Sequence, residues 1–181
     1  MGKQLDSLAD MVTSGVVPGI IMLKLIHVNL MRDINSFDDN FIDVSLIGLI
    51  LTLSACYRLA NFNLDTRQSN SFIGLPTPAM CLFVISLPLI QQYSDIEFVQ
   101  SLINNNYVLI VITLLLSYLM NAEIPLFSLK FKDYSIKNNW VTYLFLVISL
   151  MLILLINYLS IPVIIILYVI LSIIKNLTPK I

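Results

Sequence analysis

Two aspartates, Asp6 and Asp10, stand four residues apart in the opening stretch GKQLDSLAD, residues 2–10, at the head of a long apolar run. Residues at i and i+4 share one face of a helix. Gly2, Asp6 and Asp10 therefore form one stripe, with Ala9 and Thr13 beside it. Two carboxylates one turn apart repel each other and are costly to desolvate at membrane depth. They need a neutralising partner. Lys3 is three residues from Asp6. A divalent cation with oxygen ligands would neutralise the pair better, and would suit a phosphate-bearing substrate. The competing reading makes both residues first-turn acids that favour the helix dipole. Small Gly2, Ser7 and Ala9 around the pair leave room for a neighbouring helix or a ligand.

Arg58 closes a later apolar run, with Asn61 three residues on. A planar guanidinium suits a phosphate or a carboxylate; the alternative is an arginine snorkelling to lipid headgroups. Arg67 sits in a polar loop and reads as solvated. His27 has no acidic or cysteine partner at ligand spacing and reads as carrying no metal. Cys56 and Cys81 form neither a CxxC nor a metal-ligand pattern, and both read as packing residues.

The elements that must position these groups are helices in a bilayer. Of the 181 residues, 58% are hydrophobic and 12% charged, and the mean hydropathy is +0.90. A soluble domain is about 45–50% apolar and about 25% charged, so the chain reads as a membrane protein. No basic cluster interleaves with aromatics, which excludes nucleic acid as a partner. The N-terminus lacks the pattern of a cleavable signal peptide, so insertion would rely on the spans. A crossing helix needs about 20 mostly apolar residues. Segments 4–30, 41–60, 76–92, 107–122, 139–157 and 160–175 approach or meet that length, with polar loops at 33–40, 63–74, 104–106 and 130–139. Residues 157–162 (NYLSIP) read as a tight hairpin, and Gly74, Pro76 and Pro78 as a rigid turn opening the third span. The expected fold class is an all-α, polytopic integral membrane protein of about six transmembrane helices, one domain over 1–181.

Lys and Arg favour cytoplasmic loops. With the N-terminus inside, Lys3, Arg58, Arg67, Lys130, Lys132, Lys137, Lys175 and Lys180 fall on the cytoplasmic side, and Lys24 and Arg32 toward the other. Asp33, Asp38, Asp39, Asp43, Asp95 and Glu97 collect outside. Asp6, Asp10 and Arg58 then share the cytoplasmic face. Trp140 and Tyr143 read as interfacial anchors there.

Gly2, Asp6 and Asp10 match G-x-x-x-D-x-x-x-D, and GKQLDSLAD resembles the second half of the CDP-alcohol phosphatidyltransferase signature. YRLANFN at 57–63, SFIGLPTPA at 71–79 and IPLFSLKFK at 124–132 are similar to the bacterial phosphatidylserine synthase branch, which reads close to R-L-A-R-F-N and F-x-G-L-P-x-P-A. The first half of the signature, D-x-x-D-G-x-x-A-R, is absent from the chain, so the resemblance is to a member truncated at its N-terminus. In the family that half supplies two further metal-binding aspartates and the nucleotide contacts.

The resemblance implies phosphatidyl transfer from CDP-diacylglycerol to L-serine, giving phosphatidylserine and CMP at a bacterial inner membrane. Asp6 would be a metal ligand. Asp10 would be the general base and a second ligand, with Mg²⁺ or Mn²⁺ as cofactor. Gly2, Arg58 and Asn61 would contact substrate; the family often has a second arginine where Asn61 stands, which weakens the anion site. Expected partners are CDP-diacylglycerol, L-serine and membrane lipids, and a homodimer is left open. With two of the usual four carboxylates, the 181 residues alone are expected to show little or no activity. Two alternatives stand beside this: the same family with glycerol phosphate or inositol phosphate as acceptor, or a non-catalytic membrane remnant or transporter-like protein. The near absence of ionisable groups in 107–122 and 139–175 argues against a transporter.

Overall fold

The computed structural model describes residues 2–33, 44–64, 72–127 and 136–177. The loop charges Asp38, Asp39, Asp43, Arg67, Lys130, Lys132 and Lys180 lie outside the described residues, as do the side chains of Lys3, Asp33 and Lys137.

Helix α1 (Gly2–Met11) runs through a π turn (Val12–Val16) into α2 (Val17–Asp33). Pro18 explains the wide turn. It has no N–H to donate, and its ring crowds the carbonyl one turn back, so the helix loosens just before it. In π geometry residue 18 would bond the Thr13 carbonyl. Cys81 donates to that oxygen instead, at 3.5 Å, and Thr52 Oγ1 donates to the Gly15 carbonyl at 3.0 Å.

A 3₁₀ turn (Leu46–Leu49) opens α3 (Ile50–Leu64), which lies against α1 and α2. Small residues permit a close crossing here. A Cβ on Gly48 would overlap the Leu23 backbone, and one on Gly19 would overlap Thr52. The chain continues through β1 (Phe72–Ile73), α4 (Thr77–Tyr93), α5 (Glu97–Asn104), α6 (Asn106–Asn121), β2 (Pro125–Leu126), α7 (Ile136–Ile156) and α8 (Ser160–Leu177). The two short strands pair antiparallel, Phe72 opposite Leu126 and Ile73 opposite Pro125. Met22, Ile26, Leu51, Met80, Val84, Ile90 and Leu109 form the core between α2, α3, α4 and α6.

The protein is an all-α membrane protein apart from that strand pair. By length and composition, Gln4–Arg32, Leu46–Leu64 and Asn139–Asn176 can cross a bilayer. The α5–α6 pair, bent by 77°, makes a fourth if it acts as one span, and α4 is a shorter apolar helix. The count of six crossings goes beyond these lengths. One of the long stretches is doubled back on itself. Along a straight helix Phe145 and Tyr168 would be about 35 Å apart, yet their rings are 5.7 Å apart. The reversal is a 3₁₀ turn at Asn157–Leu159, with Asn157 at φ 44°, as NYLSIP predicts. Only 11% of the apolar window in this stretch is buried inside the protein, so lipid must solvate the rest.

Two expectations need correction. The loop read at 104–106 shrinks to Asn105, because α5 occupies Glu97–Asn104 and α6 begins at Asn106, its first turn capped by Asn105. The cysteines also differ. Cys81 is buried, whereas Cys56 is exposed because it faces a gap between α1 and α3.

Candidate functional site

Arg58 is the anchor of one end of the bundle. It lies six residues before the end of α3, 8% exposed. Its Nη1 carries two N–H groups, and both are used: one donates to the Ile73 carbonyl at 2.9 Å, the other to the Met120 carbonyl at 2.7 Å. Gly74 then turns the chain. Its φ is +73°, where glycine alone is at ease. A Cβ there would overlap the Met120 carbonyl and come within 3.0 Å of the Arg58 Nη1. Gly74 N–H donates to Ile124 O at 2.9 Å and Leu75 N–H to Leu119 O at 2.8 Å. Pro76 caps α4, its carbonyl accepting from Ala79 and Met80 N–H. The rigid turn read from GLPTP is thus a clip between α3, α4 and α6.

The opening stretch joins this end from the other side. Asn63 Nδ2 donates to Ser7 Oγ at 3.0 Å, and Ser7 Oγ lies 3.3 Å from Asn63 Oδ1. Four stretches far apart in sequence therefore meet at one end of the molecule: GKQLDSLAD, YRLANFN, SFIGLPTPA from Phe72, and IPLFSLKFK as far as Phe127. Beyond the strands, Phe127 is held by Phe145 and Tyr168 at 5.9 and 4.9 Å, and the Tyr168 hydroxyl donates to its carbonyl at 2.8 Å.

Sharing an end is not sharing a face. Gln4, Ser7, Leu8 and Met11 line a gap of about 440 Å³ against Cys56, Leu59, Ala60 and Asn63 of α3. At about 100° per residue, Asp6 lies about 150° and Asp10 about 110° around the helix from the middle of that seam. The acidic stripe points away from α3, and nothing lies within 4 Å of a Cβ placed on Gly2. Asp6 and Gly2 are exposed, Asp10 is partly covered, and Asn61 is exposed. Arg58, by contrast, turns toward α6 and the clip. The structure brings the site residues to one end without closing them around a common point.

Depth also separates the readings of the aspartates. Asp6 and Asp10 stand beyond the first turn of α1, which holds no acid, so the helix dipole does not explain them. Gln4–Arg32 has 29 residues, about 43 Å of helix against a hydrocarbon core of about 30 Å. An upright helix of that length leaves one end outside, and α1 is its more polar end. The carboxylates then sit near the headgroup level. As hard oxygen donors on one face they suit a divalent cation. They supply two ligands, and among the described residues no third His, Cys, Asp or Glu groups with them.

Ser7, read from sequence as leaving room for a neighbouring helix, meets α3; its partner Asn63 was not singled out. Asn63, the last residue of YRLANFN, was the available signal for that contact.

No family model matches the chain. Curated relatives do. An archaetidylserine synthase of Methanothermobacter thermautotrophicus is 30% identical over 96 residues, 53% of this chain and 36% of the relative. A CDP-diacylglycerol–serine O-phosphatidyltransferase of Bacillus subtilis is 34% identical over 88 residues, 48% of this chain and 44% of the relative. One of Helicobacter pylori is 36% identical over 86 residues, 46% and 32% of the two chains. The chain spans less than half the length of these relatives. The resemblance to phosphatidylserine synthases thus stands on these alignments as well as on the motifs.

Proposed function

From this similarity to phosphatidylserine synthases, we propose that the chain carries part of the machinery that moves a phosphatidyl group from CDP-diacylglycerol to L-serine. The serine hydroxyl oxygen bonds to the lipid-side phosphorus. The bond from that phosphorus to the CMP oxygen breaks, and CMP leaves with the electron pair. Asp10 takes the hydroxyl proton, as a carboxylate base within hydrogen-bond reach can. Asp6 and Asp10 would hold Mg²⁺ or Mn²⁺, which when bound offsets charge on the diphosphate. Arg58 holds the clip through Nη1, leaving the Nε and Nη2 groups as the donors suited to a substrate phosphate or the serine carboxylate. Asn61 and Gly2 are substrate contacts in this reading, Gly2 because its open face lets a headgroup approach.

The observation that supports the reading is the meeting of four motif stretches at one end of the bundle. That end is taken as cytoplasmic, in a bacterial inner membrane crossed six times by one domain. A second copy of the chain in a homodimer belongs to the same proposal. Serine fits SFIGLPTPA better than another acceptor alcohol does.

The test is serine-dependent CMP release from CDP-diacylglycerol in detergent micelles. The expected result is little or no release from the 181 residues alone. Release should appear when they are joined to a segment carrying D-x-x-D-G-x-x-A-R, and disappear again with Asp10→Asn. Release driven equally by glycerol phosphate would replace serine as the acceptor; release unaffected by Asp10→Asn would remove the assigned base.

A further inference from the structure

The far end of the bundle carries a feature unrelated to the chemistry above. Helix α4 begins at the clip and ends at Tyr93; α6 begins at Asn106 and returns to the clip at Met120. The segment between them, including α5, therefore lies at the end opposite Asp6 and Asp10. Helix α5 is bent from α6 by 77°. With α6 running across the bilayer, α5 lies nearly in the membrane plane.

Its faces are sorted for that position. Ile103 is buried and Val99 packs against the core. Glu97 and Ser101 lie on the opposite side, both exposed. Phe98 and Leu102, at i and i+4, form a third strip beside the buried one, 69% and 38% exposed. A phenylalanine and a leucine side by side at this height, with a polar strip facing away, have the arrangement of an interfacial helix. The surroundings agree. Tyr93 and Tyr158 pair at 5.3 Å, and Tyr107 is 81% exposed; all three mark this end with the rings that favour a membrane–water boundary.

The helix is also held rigidly in place. Asn29 Nδ2, buried in α2, donates to the Ile103 carbonyl at 2.8 Å. Asn104 Oδ1 accepts from Gln91 Nε2 at 2.7 Å and from Arg32 Nη1 at 3.3 Å. These bonds tie α5 to α2 and α4 and fix the direction in which Phe98 and Leu102 face.

We propose that α5 is an in-plane lipid-contacting helix. Phe98 and Leu102 enter the headgroup–acyl boundary of the leaflet opposite the acidic stripe, and the tyrosines continue the same band.

Trp140 is the chain's one tryptophan, so tryptophan can be placed singly in a Trp140→Phe background. The full 181-residue chain is reconstituted in phosphatidylcholine–phosphatidylglycerol vesicles containing lipids brominated at known depths. Phe98→Trp and Leu102→Trp should each lose most emission to lipids brominated just below the headgroup. They should lose less to lipids brominated near the chain end, and little to aqueous iodide. Ser101→Trp should behave in the opposite way, quenched by iodide and nearly indifferent to brominated lipid. Indifference of both Phe98→Trp and Leu102→Trp to every brominated lipid would overturn the proposal, whether water or another part of the chain covers them. Equal quenching of all three positions would overturn it as well. Circular dichroism of each variant verifies that the helices remain.

Discussion

Replacing Arg58 by methionine separates a structural arginine from a substrate-binding one. Methionine keeps much of the apolar stem but removes both N–H groups of Nη1. The Ile73 and Met120 carbonyls, bonded at 2.9 and 2.7 Å, lose their donor in a buried place. Hydrogen bonds to a charged group contribute about 1.5–3 kcal/mol each, and two of them give about 3–6 kcal/mol. A buried carbonyl left without its donor costs about 1–3 kcal/mol, so for two of them about 4 kcal/mol is expected. For a chain of this size about 2–4 °C accompanies each kcal/mol, which places the Tm of Arg58→Met roughly 8–16 °C lower in detergent. Lysine can present one ammonium to both carbonyls, so Arg58→Lys should recover part of that loss. The assay is thermal unfolding of purified protein followed by circular dichroism. A Tm for Arg58→Met within about 2 °C of the parent, combined with a raised KM for serine in the active chimera, would refute the clip and return Arg58 to the substrate.

Other substitutions probe the remaining links. Gly74→Ala places a side chain at positive φ against the Met120 carbonyl, and should cost at least about 3 kcal/mol, read as loss of monodisperse protein on gel filtration. Asp6→Asn and Asp10→Asn face away from α3, so neither should lower the Tm by more than about 2 °C, while both abolish CMP release in the chimera. Tyr168→Phe removes one hydroxyl donor from the Phe127 carbonyl and should cost about 0.5–1.5 kcal/mol, seen as a Tm shift of a few degrees, with the aromatic cluster retained. Ser7→Ala and Asn63→Ala should be non-additive, the double variant losing less than the sum of the two singles because they share one contact.

Much of the bundle was legible because hydropathy is a local quantity. The long apolar runs became helices, and NYLSIP became a reversal because Asn157 tolerates positive φ. Helix α5 escaped notice since eight residues are too few for a span, and its two apolar strips face different surroundings. The π turn is readable afterwards from Pro18, but its effect depends on Cys81 and Thr52, donors from other helices. Cys56 was misread because an apolar neighbourhood in sequence does not say whether a partner helix fills the space beside it. Arg58 and the aspartates were identified as residues that need partners. Which partners they have is a tertiary matter: two carbonyls for Arg58, and for the aspartates an open face. Helical spacing defined the acidic stripe but not the direction in which it points.

The proposed transfer depends most on Asp6 and Asp10 acting together on a cation beside a diphosphate. Its most direct measurement is Mn²⁺ uptake, followed by electron paramagnetic resonance, by the chimera carrying D-x-x-D-G-x-x-A-R with CDP-diacylglycerol present. The predicted result is binding that weakens at least about tenfold on either Asp6→Asn or Asp10→Asn, the scale on which losing a ligand or its support lowers metal affinity. Uptake that is undetectable in the parent chimera, or unchanged by both substitutions, would contradict it.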